Sequence, residues 1–377
     1  MNILIAPCAF KGSLSAGEAA RTIAAGLHAA DPNIKTQECP LADGGEGTLT
    51  ILLRALGGQE FTTGVLDPLG REIQARYGLL DAGSTALIEI AQAAGLTLLK
   101  PRERDPLKAS SYGVGQLISA ALDQGARQIW IGLGGSATVD GGAGMLQALG
   151  ARLLDARGEN IPRGGMALAQ LVRLELSGLD PRLQDAELLV LCDVLSPLLG
   201  PRGARLYMAQ KGADPDMCER LERNLKSFAE LAQRSTGIDL RRLRGAGAAG
   251  GLGAALALLG GKLVSGSRFI IERLRVAEQV KGCDLLIGGE GRLDEQTLEG
   301  KAVLALARLA KAQDKPLMVL CGERSGELAR LHEAGMTAAF SIASGPGCEA
   351  AALQRAAQHL KATAAQLARL IGALTKK

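Results

Sequence analysis

Apolar and polar positions follow two different rhythms along this chain. NILIAP (2–7) is a short unbroken apolar run, the pattern of a strand buried on both faces. After FKGS comes GEAARTIAAGLHAA, whose apolar residues recur at helical spacing, with Ser15 as the expected N-cap. TQECP reads as a second strand, ending in the loop LADGGEGT and a helix, TLTILLRAL. Such strand–helix alternation predicts a parallel, helix-covered sheet. From Phe61 to Leu98 the rhythm changes. FTTGVLDPLGREIQARYGLLDAGSTALIEI shows β-branched alternation with turn signals at DPLG and DAGS, which predicts antiparallel hairpins. The first rhythm then resumes: SYGVGQLISAALDQG reads as helix, QIWIGLGG as strand, GAGMLQALGARLL as helix and AELLVLCD as strand. A long helix, CERLERNLKSFAELAQR, follows, and after GAAGGLGAALALLGG come DLLIGGEG, KAVLALARLAKA, PLMVLCG and AAFSIA.

Length sharpens this picture. The chain has 377 residues, more than the roughly 250–300 at which a single core stops growing, so two domains are expected. No fixed-period repeat and no Pro- or Ser-rich linker marks a boundary. The expected fold class is α/β, with two α/β domains built on largely parallel, helix-covered sheets. Residues 1–62 and 282–377 would form one discontinuous, Rossmann-like domain, with residues 63–281 inserted into it.

Composition removes several function classes. Apolar residues make up 47% of the chain, which excludes global disorder. Aromatics are scarce, which favours helices packed closely on a sheet over a β-sandwich. The 50 glycines follow no triplet period, so collagen is excluded. A net charge of +4 without a basic block argues against a nucleic-acid binder. Seven scattered cysteines form no CxxC pair, and several lie in strand-like runs as buried reduced thiols would. With only three histidines, all in helix-like segments, a histidine metal site is not expected. MNILIAP is too short for a signal sequence, and no apolar run approaches about 18 residues. A cytoplasmic protein with no membrane partner is expected.

The position of the glycines carries the chemistry. Four predicted strands run into glycine-rich acidic loops: LADGGEGT (41–48), GLGGSATVDGGAG (132–144), CDVLSPLLGPRGA (192–204) and GGEGRLDEQTLEGK (288–301). In parallel sheets ligands bind beyond the carboxyl ends of strands, and the following helix starts favour anions. Any one such loop is better explained by turns and caps; four of them, each after a strand, favour a polyanion site. GxxxxGK[ST] is absent, so a P-loop is not supported. A GxGxxG stands at Gly245, Gly247 and Gly250, but RRLR before it is no strand, so the dinucleotide fingerprint fails on context. GAAGGLGAALALL suits either a helix start facing phosphate or close packing on a neighbour.

Phosphoryl transfer needs cations, carboxylates for Mg²⁺ and a group to orient the attacking hydroxyl. Lys11 follows a strand directly. Asp43, Glu46, Asp193, Glu290 and Asp294 offer the oxygen ligands that Mg²⁺ prefers. Asp193 could equally be a turn or capping residue, and Asp140 has a stronger capping alternative. Lys211 and Lys301 read as phosphate ligands or as surface cations. No histidine lies in a candidate loop, which disfavours Ser/His/Asp hydrolysis.

IAPCAFKGSLSAGEAA, PLADGGEGT, IGLGGSATVDGGAGMLQALG, CDVLSPLLGPRGA, QKGA, GAAGGLGAAL and GGEGRLDEQTLEGK, in this order, resemble the type-1 glycerate kinase family across residues 2 to about 345. The resemblance implies ATP-dependent phosphorylation of D-glycerate, usually to 2-phosphoglycerate, with Mg²⁺. It also implies a site in the cleft between two α/β domains. Catalytic roles are then expected for Lys11, Asp193 and Asp294, and substrate binding for Ser13, Asp43, Glu46 and Lys301. Nucleotide binding is expected of Gly134, Gly135, Ser136, Gly247, Gly250 and Gly251, and metal binding of Asp193 and Glu290. Glycerate and ATP are the expected partners, without nucleic acid, and a homodimer is left open. The chain departs from the family pattern at Cys8 and Ala9, at Val139, at Ser196 and in LYMA before QKGA. Two alternatives remain: a kinase for another short hydroxy acid, such as tartronate or tetronate, and a non-catalytic ligand-binding homologue. A dehydrogenase is more distant still.

Overall fold

The computed structural model describes residues 1–294, 297, 302–326, 328–343 and 349–375. Its strands, in chain order, are β1 (Asn2–Pro7), β2 (Lys35–Glu38), β3 (Gln59–Leu66), β4 (Glu72–Leu80), β5 (Thr85–Glu89), β6 (Gln128–Gly132), β7 (Arg152–Leu154), β8 (Arg173–Glu175), β9 (Glu187–Leu191), β10 (Lys262–Val264), β11 (Leu285–Leu293), β12 (Leu317–Arg324) and β13 (Ala338–Ser341). Helices cover largely parallel sheets, so the fold is α/β. Two compact units divide the chain: Met1–Asp43 with Ser267–Lys377, and Gly44–Gly266. Among the described residues no helix is long and apolar enough to cross a membrane.

In the first unit five parallel strands pair in the order β13-β12-β11-β1-β2. Ile3 and Ile5 of β1 join one buried cluster with Ile23 and Leu27 of helix Ala16–Ala30 and Leu360 and Leu367 of helix Ala356–Thr375. Leu4 and Ala6 join another with Val303 and Leu306 of helix Ala302–Ala312. Because both faces of β1 are covered, its sequence has no polar alternation. Ser15 caps the first helix as expected, and the cap is reciprocal: Glu18 N–H donates to Ser15 Oγ, and Ser15 N–H donates to Glu18 Oε2.

The second unit carries a six-stranded sheet in the order β10-β9-β6-β5-β4-β3. β3, β4 and β5 are antiparallel neighbours, whereas β5, β6, β9 and β10 run parallel. The hairpins and the parallel strands read separately from sequence thus share one sheet. Ile88, Ile129, Ile131 and Val190 from its strands meet Leu117, Leu146, Phe228 and Leu256 from helices Tyr112–Asp123, Ala143–Ala148, Pro215–Thr236 and Leu252–Leu258.

Two segments differ from their sequence reading. GAGMLQALGARLL is not one helix: the helix ends at Ala148, and β7 pairs antiparallel with β8. Gly150 makes the break, with φ at +99° and its α-carbon against the Gly178 carbonyl, where a Cβ would collide. In the second segment β11 runs on to Leu293, so Gly288–Leu293 are strand and not loop. Glu290 lies opposite Cys321 and Arg292 opposite Glu323 of β12, and the Arg292–Glu323 ion pair suits this extension. RRLR, as read, is no strand; Leu240–Arg242 is a 3₁₀ turn.

Candidate active site

In the first unit the parallel strands end in a group of polar loops. Phe10 and Leu14 close a tight turn after β1, with Lys11 exposed on it. Ser13 Oγ donates to the Phe10 carbonyl at 2.9 Å and so fixes that turn. The turn lies against β11, because a Cβ at Gly291 would stand only 3.2 Å from the Lys11 nitrogen. One residue earlier, Glu290 is 7% exposed and accepts a hydrogen bond from Thr297 Oγ1 at 3.0 Å. Asp294 N–H donates to that same hydroxyl at 3.2 Å, and Thr297 N–H returns to the Asp294 carbonyl at 3.0 Å. Burial and the nearby Glu290 charge push the Cys321 thiol up to about 12. Leu41 N–H donates to the Pro7 carbonyl, which prolongs the pairing of β1 and β2 toward half-buried Asp43. Lys11, Ser13, Asp43, Glu290 and Asp294 therefore all lie at or beyond the carboxyl ends of β1, β2 and β11. Lys301 lies outside the described residues.

The second unit does the same with different groups. The loop after β6 carries Gly134, Gly135 and Ser136, and the backbone of Gly44 and Gly45 lies directly on its start. Side chains at Gly132 or Gly134 would run into the Gly44 carbonyl and the Gly45 α-carbon. Gly134 N–H donates to Gly44 O at 3.2 Å. Glu46 is exposed just beyond this contact and precedes helix Thr48–Leu56. That helix has no side-chain cap of its own. Instead Leu49 N–H donates at 2.7 Å to Oε1 of Glu89, a buried carboxyl at the end of β5. Burial raises the Glu89 pKa, Leu49 and Gln92 oppose the rise, and Glu46 adds to it. Sequence reasoning passed over Glu89; its signal was an acid closing the apolar run STALIE.

Asp193 follows β9, half-buried, and accepts from Ser265 Oγ at 2.6 Å. Asp140 behaves as the local cap the sequence allowed. It is fully buried and accepts from Ser111 N–H, Ser111 Oγ, Gly142 N–H and Gly144 N–H. Burial raises its pKa and these four donors oppose the rise. Lys211 is neither a surface cation nor an open phosphate ligand: it is 3% exposed and donates at 2.8 Å to both Ser136 Oγ and the Thr138 carbonyl. Burial pulls its pKa down to about 7, while Asp140 acts in the opposite sense.

The glycine run 245–251 is closely packed. Gly247 N–H donates to the Ser196 carbonyl at 3.1 Å, and Gly250 stands against the Thr138 carbonyl with φ at +69°. Of the departures from the family pattern, Val139 is fully buried in the core, Ser196 is 8% exposed and Cys8 is half-buried. The Val139 departure therefore alters packing. Each unit thus presents carboxylates and hydrogen-bond donors at the carboxyl ends of parallel strands, a set suited to holding polyanions and orienting a hydroxyl.

Comparison with known proteins agrees with this chemistry. Residues 3–372 match the family model described as the glycerate kinase family. Over 349 residues the chain is 44% identical to the glycerate 2-kinase of Escherichia coli K12, covering 92% of each chain. It is 44% identical over 370 residues to the glycerate kinase of Bacillus subtilis 168, covering 98% of this chain and 97% of that one. The crystal structure of a candidate glycerate kinase 2 from Salmonella typhimurium LT2 matches with a TM-score of 0.82 at 42% identity, over 100% of both chains.

Proposed function

The chain belongs to the glycerate kinase family, and from that premise we propose that it transfers the γ-phosphoryl group of ATP to D-glycerate, giving ADP and 2-phosphoglycerate. It is an ATP-dependent kinase of that family. The reading is carried by near-full-length similarity to curated glycerate kinases, and the carboxylates and glycine turns at strand ends give it a physical basis. The name of the E. coli relative supports the 2-position.

Phosphoryl transfer leaves the protein little covalent work, so its contribution is positioning and electrostatics. Lys11, exposed on its turn, neutralises either the transferring phosphoryl group or the glycerate carboxylate. Asp193 or Asp294 orients the acceptor hydroxyl and takes its proton. Ser13, Asp43, Glu46 and Lys301 bind the acceptor. Gly134, Gly135, Ser136, Gly250 and Gly251 border the nucleotide phosphates. Gly247, whose N–H is donated to Ser196, shapes the turn that carries the last two.

Asp193 and Glu290 are hard oxygen donors of the kind Mg²⁺ takes, and each is held by a neighbouring hydroxyl. No cluster of three or more His, Cys, Asp or Glu is gathered for a metal among the described residues. An ion held by one or two carboxylates together with substrate phosphates does not require such a cluster. Bound at either carboxylate, Mg²⁺ would neutralise charge on the phosphates.

Proton-coupled ³¹P NMR of the product from ATP and D-glycerate tests the acceptor, the position and the metal together. A doublet, from phosphate on a CH carbon, is expected; a triplet, from phosphate on a CH₂ carbon, overturns the 2-position. EDTA should abolish the signal and added Mg²⁺ restore it. Coupled ADP-release assays over a panel of short hydroxy acids complete the test, and strong turnover of another acid beside weak turnover of D-glycerate overturns the acceptor.

A further inference from the structure

The most unusual group in the second unit is a buried lysine with no ion pair. Burying an ammonium costs several kcal/mol unless its donors are satisfied and a counter-charge is near. Lys211 is 3% exposed and, among the described residues, has no carboxylate within ion-pair distance. Asp140 is the acidic group that acts on it, and Asp140 already accepts four hydrogen bonds from elsewhere. What Lys211 touches is the loop after β6: Ser136 Oγ and the Thr138 carbonyl, each at 2.8 Å. Beside it Thr138 Oγ1 is buried without a hydrogen-bond partner.

The donor count at Ser136 has a direct consequence. In its protonated form, which prevails below about pH 7, Lys211 can only donate, so at this contact the serine oxygen is the acceptor. The serine's own O–H must therefore point to a different acceptor, and among the described residues it has none. Ser136 lies one residue after exposed Gly135, at the carboxyl end of a parallel strand. A hydroxyl that accepts from a cation is polarised into a stronger donor, and its natural partner is an oxyanion.

We propose that Lys211 is a positioning residue for nucleotide binding, locking the Ser136 hydroxyl as a hydrogen-bond donor to a phosphate oxygen of ATP. The ammonium sits behind the serine and acts through it without touching the ligand. Its second bond, to the Thr138 carbonyl, holds the same loop in the shape that presents Ser136. This inference rests on the placement of Ser136 beside the nucleotide phosphates.

Titration calorimetry with ATP on the full-length protein at pH 6, where Lys211 is protonated, tests it, using wild type, Ser136→Ala, Lys211→Met and the double variant. Loss of a charge-assisted hydrogen bond should weaken ATP binding about tenfold in each single variant. The double variant should be no weaker than the worse single one, because the two residues act as one unit. With D-glycerate as acceptor, the KM for ATP should rise about tenfold in Lys211→Met while kcat changes less than threefold. A folded Lys211→Met protein that binds ATP within twofold of wild type overturns the proposal, as do losses that multiply in the double variant. If the methionine variant does not fold, Lys211→Gln, which keeps an amide donor and drops the charge, takes its place and should lose affinity in the same sense. Wild-type ATP binding by Ser136→Ala overturns both the relay and the placement of Ser136. Failure of the glycerate reading would appear separately, as absence of phosphoglycerate with ATP binding intact.

Discussion

Replacing Lys211 with methionine removes a buried ammonium and leaves a chain of similar length in its place. Folding moves the lysine from its ordinary range, near 10.5, to about 7, chiefly by burial. Between those two values the unfolded chain binds a proton that the folded one does not, so native stability rises with pH across this window. Below about pH 7 both states are protonated and the slope vanishes. At about 1.4 kcal/mol per pKa unit the whole shift corresponds to about 5 kcal/mol. From pH 7 to pH 9, wild type should gain about 2 kcal/mol relative to Lys211→Met, and from pH 6 to pH 7 almost nothing. Urea unfolding of both proteins at pH 6, 7, 8 and 9 gives this difference directly. Thiols such as Cys39, raised by burial to about 11, and Cys283, also raised by burial, add their own pH dependence through the unfolded chain, but they are present in both proteins and largely cancel. A difference that stays flat within about 0.5 kcal/mol from pH 7 to pH 9 would show that Lys211 is not desolvated as described, and would refute the reasoning.

Two further substitutions probe the site and its scaffold. Asp193→Asn and Asp294→Asn should lower kcat by about 10²-fold or more in at least one case, with circular dichroism unchanged; near-normal turnover in both would remove these carboxylates from the reaction. Gly250→Ala places a Cβ at φ +69° against the Thr138 carbonyl. It should lower the stability of the second unit by about 2–3 kcal/mol in urea, and a midpoint equal to wild type would mean that the turn yields without cost.

Much of the fold was legible because parallel strands buried on two sides write themselves as unbroken apolar runs. NILIAP, QIWIG, ELLVL and LMVL all became strands in the expected direction. The hairpins were legible through alternation and turn residues at DPLG and DAGS. The failures have local causes. Arg152–Leu154 followed a helix in sequence, and the left-handed glycine that separates them was read as part of the helix. β11 was cut short because Glu290 and Arg292, among its last residues, are charged, and only the pairing with β12 as far as Arg324 makes them strand. Side-chain environments were less accessible. An isolated lysine in QKGA gives no sign of burial, because Ser136, which accepts its hydrogen bond, is 75 positions away. Glu89 was hidden for the same reason: Leu49, whose N–H it accepts, lies in another element.

The insertion of one unit into the other also dictates an order of events during synthesis. β1 leaves the ribosome before any of Gly44–Gly266, yet β11, its partner along one edge, begins at Leu285. At about 5–20 residues per second the gap from Pro7 to Leu285 lasts roughly 15–55 s. The whole of Gly44–Gly266 emerges within that interval and can complete its own sheet. Until then NILIAP waits with β2 on one side and an unpaired backbone edge on the other, a geometry that invites pairing with foreign strands. β1 is made before the larger unit and sealed after it, so the nascent chain is most exposed to aggregation just when that unit is already folded.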